Sequence, residues 1–372
     1  MKLTHSLLLA ASSILAVSSA NAQTVIDITG STAGRTAVHQ AILSVLSNET
    51  FVYNGTNFNG ASKALFKGDI SGTPVIVRTS WSGSAAGVRD VAQSNSSVWF
   101  PATTIDTTGA ANNTAVSMAN SSSNTVQDTP EIAFSDVFQS STIYTSPALT
   151  DVTAGVIPFK FFASKDAPAT VTNITSIVAR NLFGTGYIPT ALLSGNSSDE
   201  ASYFFATGRD PESGTRITAM AEIGYGVFGQ VQNQQPTVVS GNVTGVAQWP
   251  AGTYAAGNGG ASSGSTVKGY LEAAGYAGGY GLISYLGSSD WSSVAKELTY
   301  NGVTYSADNV KNGKYTFWGY LHQMRLSGLS GTALSFFNSL TTAVRADTTW
   351  LVKTSDMRVE RTSDGGLINP LY

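Results

Sequence analysis

Apolar and polar positions alternate along Thr24-Val25-Ile26-Asp27-Ile28-Thr29, which is the two-residue period of a strand. Between residues 35 and 46 the period lengthens to that of a helix, with Val38, Ile42, Val45 and Leu46 falling three or four apart. A turn of small residues, Gly30-Ser31-Thr32-Ala33-Gly34, joins the two. The same order recurs. Residues 74–79 predict a second strand, Ser82-Gly83-Ser84-Ala85-Ala86-Gly87 a second turn, and a helix follows from Val88. Residues 131–136 predict a third strand ending in the carboxylate of Asp136, and 156–163 an apolar strand. Residues 172–183 predict a helix with Ile174, Ile177, Val178 and Leu182 along one side. A further helix starts near Ser213 and runs through Ile217 and Met220 to Ile223. Repeated strand, turn and helix predict an α/β fold whose turns gather at the carboxyl ends of the strands, where such sheets bind ligands.

Three stretches break this pattern. Residues 93–129 are rich in Ser, Asn and Thr, 230–248 are polar with scattered valines, and 252–265 are mostly Gly, Ala and Ser. Their polarity predicts solvent-facing or mobile loops outside the core. No fixed-period repeat is present.

The chain begins Met1-Lys2, continues with an apolar run over 7–17, and reaches the small residues Ala20-Asn21-Ala22. A positive start, a short apolar stretch and an A-x-A site predict a secretory signal peptide over 1–22, cleaved before Gln23. The run is shorter than the roughly 20 residues of a permanent membrane anchor. With no cysteine, disulfides, thiolate metal sites and a cysteine nucleophile are excluded, and so is a lipidated cysteine after the leader. An exported chain of this kind suits a periplasmic or secreted location. The remaining length, about 350 residues, exceeds what one core usually serves and predicts two lobes. Charged residues make up 12% of the chain and the net charge is −3. That balance offers no footprint for nucleic acid or anionic lipid, so an anionic ligand must be held by local dipoles and one or two cations.

The candidate chemistry centres on Thr207-Gly208-Arg209-Asp210-Pro211-Glu212-Ser213-Gly214-Thr215-Arg216. A helix starting near Ser213 presents free amides and the positive end of its dipole to an anion. Ser213 and Thr215 add hydroxyl donors, Gly214 lets the backbone come close, and Arg209 supplies a fork of donors that matches two oxygens. Taken alone, the segment reads equally well as an N-cap serine and a surface arginine. The turns at 30–34 and 83–87 also carry hydroxyls into helices, and each alone reads first as a structural turn. Three such helix starts, one arginine and one strand-end aspartate form a set that suits an oxyanion.

These segments resemble the periplasmic phosphate-binding proteins of ABC transporters. The resemblance is carried by Ile28-Thr29-Gly30-Ser31-Thr32-Ala33, Gly83-Ser84-Ala85-Ala86-Gly87-Val88, Ile132-Ala133-Phe134-Ser135-Asp136, and Arg209 followed by Ser213-Gly214-Thr215, in that order. Gly278-Gly279-Tyr280-Gly281-Leu282-Ile283-Ser284-Tyr285 is similar to the family's second interlobe strand, and 174–184 and Thr316-Phe317-Trp318-Gly319-Tyr320 to helical stretches of the family. The resemblance implies a two-lobed type-2 periplasmic-binding-protein fold with a two-strand hinge near 156–162 and 281–286. Lobe 1 would comprise 23–155 and 287–372, and lobe 2 would comprise 156–286. It implies that Thr32, the Ala33 amide and Ser84 bind phosphate from the first lobe. Asp136 would accept the ligand's proton, and Arg209, Ser213, Gly214 and Thr215 would close from the second lobe. It further implies a monomer that delivers its anion to a membrane ABC permease, with no cofactor, no metal and no catalysis. Two features depart from the family. The first turn is a residue shorter, which leaves Ser31 as the alternative to Thr32, and the interval from Ser84 to Asp136 is longer.

Two other readings stay open. One is a secreted surface or matrix protein that keeps the fold without serving transport, suited by the low charge and the Ser/Thr/Asn-rich stretches. The other is a phosphate-ester hydrolase. Against it, His39 and His322, both in helix-like sequence, have no partner motif, and G-x-S-x-G, metal-ligand and P-loop signatures are absent. Asp199-Glu200 falls in polar loop sequence. Arg35, Arg89 and Arg216 lie near the candidate turns but are expected to be solvated.

Overall fold

The structure, a computed structural model, describes residues 23–117 and 125–371, so the expected leader at 1–22 lies outside the described residues. It is a mixed α/β fold around one 12-stranded sheet. The strand Thr24–Gly30 lies at its heart. It pairs in parallel with Thr73–Ser80 on one side and Ile132–Ser135 on the other. Ile26 and Ile28 are buried, and so are Asp27 and Thr29. Both faces of this strand are therefore covered, as in parallel sheets flanked by helices. Because Thr29 pairs with Ser80 and Gly30 with Phe134, three chain segments leave the sheet side by side at one edge.

The strand Thr150–Ala163 carries the sheet from one half to the other. Its residues from Thr150 to Pro158 pair with Trp318–Arg325, and those from Phe159 to Ala163 pair with Gly281–Gly287. At this junction Phe159, Phe161, Phe317 and Trp318 are fully buried, with the rings of Phe161 and Phe317 stacked at 4.8 Å. Beyond Gly281–Gly287 the sheet ends in Tyr203–Ala206 and Tyr187–Pro189.

Several expectations are corrected. Residues 316–320, expected to be helical like their family counterpart, lead into the strand Trp318–Arg325, which also contains His322. This strand has neighbours on both sides and buries both faces, so Trp318-Gly319-Tyr320-Leu321-His322-Gln323-Met324-Arg325 lacks the alternation that marks a half-buried strand. The second site helix, Ser84–Ala92, begins four residues before Val88. The helix expected from 172 begins at Ser176, where Thr175 caps it by accepting from the Val178 amide. Ile177, placed on its apolar side by spacing, is exposed.

The polar stretches also have structure. Residues 230–248 contain the hairpin Gln234–Val239 and Asn242–Gln248, which turns through Ser240 and Gly241, both at positive φ. The stretch 93–129 adds Thr114–Ala115 to the main sheet and buries Trp99 and Phe100 in the interior. Both aromatics are diluted among hydroxyl and amide residues, so local composition concealed them.

Candidate anion-binding site

The site is built where the three parallel segments leave the sheet. Gly30 has φ +116°, and a side chain there would run into the Phe134 carbonyl. The chain therefore turns tightly enough for the Ser31 amide to donate to Phe134 O at 2.8 Å, and the Gly83 amide donates to Gly30 O at 2.9 Å. These bonds lock the first two turns against each other. From them start the first site helix, Arg35–Val45, and the second, Ser84–Ala92, neither with a side-chain cap. Amides in the opening turn of a helix have no intrahelical acceptor, which suits them to an anion. The third site helix, Gly214–Glu222, is capped by Ser213, whose Oγ accepts from the Arg216 amide at 3.3 Å.

Asp136 follows the last residue of the strand Ile132–Ser135 and is buried. The Ser84 hydroxyl donates to its Oδ1 in a very short hydrogen bond, and Thr215 Oγ1 donates to its Oδ2 at 3.2 Å. The Asp136 amide donates to Ser84 Oγ at 3.1 Å, and Thr218 Oγ1 donates to the Asp136 carbonyl at 3.2 Å. Burial raises the Asp136 pKa to about 6, against the lowering influence of its backbone hydrogen bond, the Arg209 charge and Thr215. Gly214 lies directly against this carboxylate. A Cβ on it would stand 1.9 Å from Asp136 Oδ1 and 2.3 Å from Ser84 Oγ. Gly214→Ala is therefore expected to push the third site helix away from Asp136 and abolish anion binding, as read by calorimetry. Parent-like affinity in that variant would contradict this packing.

Arg209 is only 1% exposed, and every arm of its guanidinium is held. Nε donates to Ala261 O at 3.0 Å, one Nη to Ser262 O at 2.9 Å, and the other to Thr32 Oγ1 at 3.0 Å. Its backbone amide meets the Tyr285 hydroxyl at 3.4 Å. Ser31 Oγ instead accepts from the Gly34 amide at 3.1 Å within its own turn, so Thr32 is the residue that faces Arg209. Ala33 is buried, and its carbonyl accepts from Ser289 Oγ at 2.6 Å.

The fold thus brings the sequence-derived residues together. Ser84, Asp136, Gly214 and Thr215 are in mutual contact, Thr32 joins Arg209, and Ser213 caps the helix between them. The segment bearing the third helix is also clasped from outside. The Ala85 amide donates to Glu212 O at 3.0 Å, Tyr144 Oη to Glu212 Oε1 at 2.7 Å, and Arg89 to Glu212 Oε2 at 3.1 Å.

Sequence reasoning missed the groups that hold these residues. The carbonyls of Ala261 and Ser262 come from the Gly-rich stretch expected to face solvent, Thr218 gave no signal, and Tyr285 was read only as part of an interlobe strand. Arg35 and Arg216, expected to be solvated, are buried. Arg35 pairs with Asp290 at 2.5 Å, and Arg216 donates to the Asn258 carbonyl at 2.6 Å. Neither histidine belongs to the site. His39 Nε2 accepts from Trp81 Nε1 at 2.8 Å, and burial drives its pKa down to about 3, which keeps it neutral. His322 Nδ1 meets Asp151 at 3.0 Å. Among the described residues, no group of three or more His, Cys, Asp or Glu is arranged to hold a metal, and no helix is long and apolar enough to cross a membrane.

No protein-family model matches the sequence, and no curated protein matches it. Solved structures do. One from Clostridium perfringens with bound phosphate, described as a phosphate ABC transporter substrate-binding protein, aligns with a TM-score of 0.52 at 14% identity, covering 89% of this chain and 100% of its own. An ABC-type phosphate transport receptor from Vibrio cholerae aligns at 0.47 and 13% identity, covering 85% and 93%. A phosphate-binding protein from Stenotrophomonas maltophilia aligns at 0.48 and 12% identity, covering 88% and 85%. At such identities the likeness concerns architecture, and the first alignment carries it: the chain has the α/β fold of a phosphate ABC transporter substrate-binding protein.

Proposed function

We propose that this chain is an exported solute-binding protein, not an enzyme, that captures phosphate between two lobes and delivers it to a membrane ABC importer. The observation that carries the reading is the buried Asp136 carboxylate, set among hydroxyl donors, helix amides and the Arg209 guanidinium. A carboxylate beside an anion site is unfavourable unless the anion brings its own proton. Hydrogen phosphate and dihydrogen phosphate carry P–OH groups that donate to Asp136. Sulfate has no proton at neutral pH and would set its oxygen against the carboxylate lone pairs. Leaving a buried charged acceptor without a donor costs about 1–3 kcal/mol or more. Sites built around a required hydrogen bond discriminate by about 10⁴–10⁵-fold. Arsenate, isosteric and protonated, would be admitted.

The lobes in this reading are residues 23–155 with 287–372, and 156–286. The change of pairing partner along Thr150–Ala163 supports a hinge there, with Gly281–Gly287 as the second crossing. Closure on the anion would then be held by the Glu212 clasp. Export follows from the leader-like residues 1–22.

Calorimetry at pH 7.5 tests the proposal. Phosphate and arsenate are expected to bind at least 1,000-fold more tightly than sulfate, a conservative share of the discrimination available to such a site. Comparable affinities for sulfate and phosphate, or turnover of aryl phosphates by the purified protein, would overturn it.

A further inference from the structure

The third site helix is held at both ends. Its start lies against Asp136, and its last residue, Glu222, has a side chain only 7% exposed. A buried carboxylate at the carboxyl end of a helix faces the negative pole of the dipole and is unfavourable without a cation beside it. Arg361 is that cation. One Nη donates to Glu222 Oε2 at 3.1 Å and to the Trp318 carbonyl at 2.9 Å, and the other donates to the Thr316 carbonyl at 2.9 Å. The guanidinium lies over the Trp318 ring at 4.2 Å, and the Thr316 hydroxyl donates to Glu222 Oε1 in a very short hydrogen bond. This anchor also adjoins Asp136. Trp318 opens the strand that pairs with Ile132–Ser135, and a Cβ on the neighbouring Gly319 would stand 2.9 Å from the Asp136 carbonyl oxygen.

The residues after Arg361 touch both halves of the site. Val359–Glu360 pairs with Asn369–Pro370, which closes residues 361–368 into a loop. Within it Asp364 Oδ2 accepts from the Phe138 amide at 3.0 Å, two residues beyond Asp136. Gly365, at φ +64°, packs on the last turn of the third site helix, where a side chain would stand 2.4 Å from the Ala221 carbonyl carbon. One short segment is thus fastened to the strand end that carries Asp136 and to the helix that carries Gly214 and Thr215. Those two elements meet where Thr215 Oγ1 donates to Asp136 Oδ2 at 3.2 Å. Hydrogen bonds weaken steeply with misalignment, so a binding site needs its parts held to within about 0.5 Å.

We propose that residues 361–365 are a strap that sets the spacing between Asp136 and the third site helix, with Arg361 and Asp364 as positioning residues for anion binding. This rests on the phosphate reading of the Asp136 and Arg209 site, and adds to it two residues that act from behind the ligand. In the two-lobe division the helix belongs to one lobe and the strap to the other, so the strap also joins the lobes away from the anion.

Calorimetry at pH 7.5 and 10 °C tests the strap, with far-UV circular dichroism identifying the folded variants. Removing Arg361 alone would leave the Glu222 charge buried and unpaired, so the two are replaced together. Arg361→Met with Glu222→Gln removes both charges and keeps side chains of similar length. This double variant is expected to bind phosphate at least tenfold more weakly than the parent and to lose at least threefold of its preference over sulfate. Asp364→Ala, which strips the Phe138 amide of its acceptor, should also cost at least tenfold. Asp364→Asn, which keeps an acceptor there, should bind phosphate no more than threefold more weakly than the parent. Both remove the charge, so their difference reports the acceptor. A role confined to stability would leave the affinity of folded variants unchanged. Phosphate affinity within twofold of the parent in the folded double variant or in folded Asp364→Ala would overturn the strap, and so would equal losses in the two Asp364 variants. Should the double variant not fold, the two Asp364 variants decide by the same criteria. A parent that binds phosphate alongside unaffected variants removes the strap alone, whereas a parent that binds no phosphate removes the phosphate reading and the strap together.

Discussion

Asp136→Asn is expected to raise the melting temperature of the ligand-free protein by a few degrees at pH 8 and to cut its preference for phosphate over sulfate by at least tenfold. Burial is the chief influence on this carboxyl, lifting its pKa from 3.8 to about 6. A shift of some two units corresponds to about 3 kcal/mol between the two protonation states. Because the folded value lies above the unfolded one, the proton stabilises the fold fully below pH 3.8, and that contribution is lost as pH rises through about 6. Asparagine removes the buried charge, so the gap between variant and parent should widen from pH 4 to pH 8. Comparing the two proteins at each pH cancels groups common to both. One of these is His39, held neutral at about 3 and so opposite in sign. Asp27 and Glu131, raised to about 6 and about 7 by burial, also drop out.

The same substitution changes selectivity because an asparagine amide offers a donor where the carboxylate offers only acceptors. Sulfate should gain and phosphate lose. In the parent protein, acidification below about 6 should have a similar effect, since a protonated Asp136 can donate to an unprotonated oxygen. Titrations of both anions from pH 5 to pH 8 check this. An unchanged phosphate-to-sulfate ratio in the variant would remove Asp136 from the account of selectivity.

Arg209→Ala should lower phosphate affinity at least 100-fold and reduce stability. The side chain donates to Ala261, Ser262 and Thr32, and its charge opposes the burial of Asp136. Charge-assisted hydrogen bonds contribute about 1.5–3 kcal/mol each, and each 1.4 kcal/mol is a factor of ten in affinity. Truncation also leaves the Ala261 carbonyl with only the Asp210 amide at 3.3 Å and removes the guanidinium donor from the Ser262 carbonyl, which should lower the melting temperature. Arg209→Lys separates charge from geometry. An ammonium keeps the charge but not the planar fork that spans two carbonyls and a hydroxyl. Stability should be partly recovered and affinity remain at least tenfold below that of the parent. Parent-like phosphate affinity in a folded Arg209→Ala variant would exclude Arg209 as the anion clamp.

The strands Thr24–Gly30 and Ile132–Ser135 were legible to within a residue or two, because one face or both lie in the core and local hydrophobic spacing records that burial. The turn at 30–34 and the helix starts near Gly83 and Ser213 were legible for a different reason. A backbone that must turn sharply before a helix admits few residue types, and glycine, serine and threonine are among them. Arg35 and Arg216 were misread because an arginine is buried only by partners far along the chain, here Asp290 and Asn258. Trp318–Arg325 was misread because a central strand loses the alternation that would have marked it.

By itself, then, the sequence determined the repeated strand, turn and helix, the small hydroxyl-bearing starts of three helices, and a low overall charge. Each depends on neighbours a few residues apart. Tertiary structure alone decided that Arg209 is braced by the carbonyls of Ala261 and Ser262, and that Gly214 abuts Asp136. Sheet order sets those meetings, joining segments tens of residues apart, and local periodicity carries no record of which distant strand becomes a neighbour.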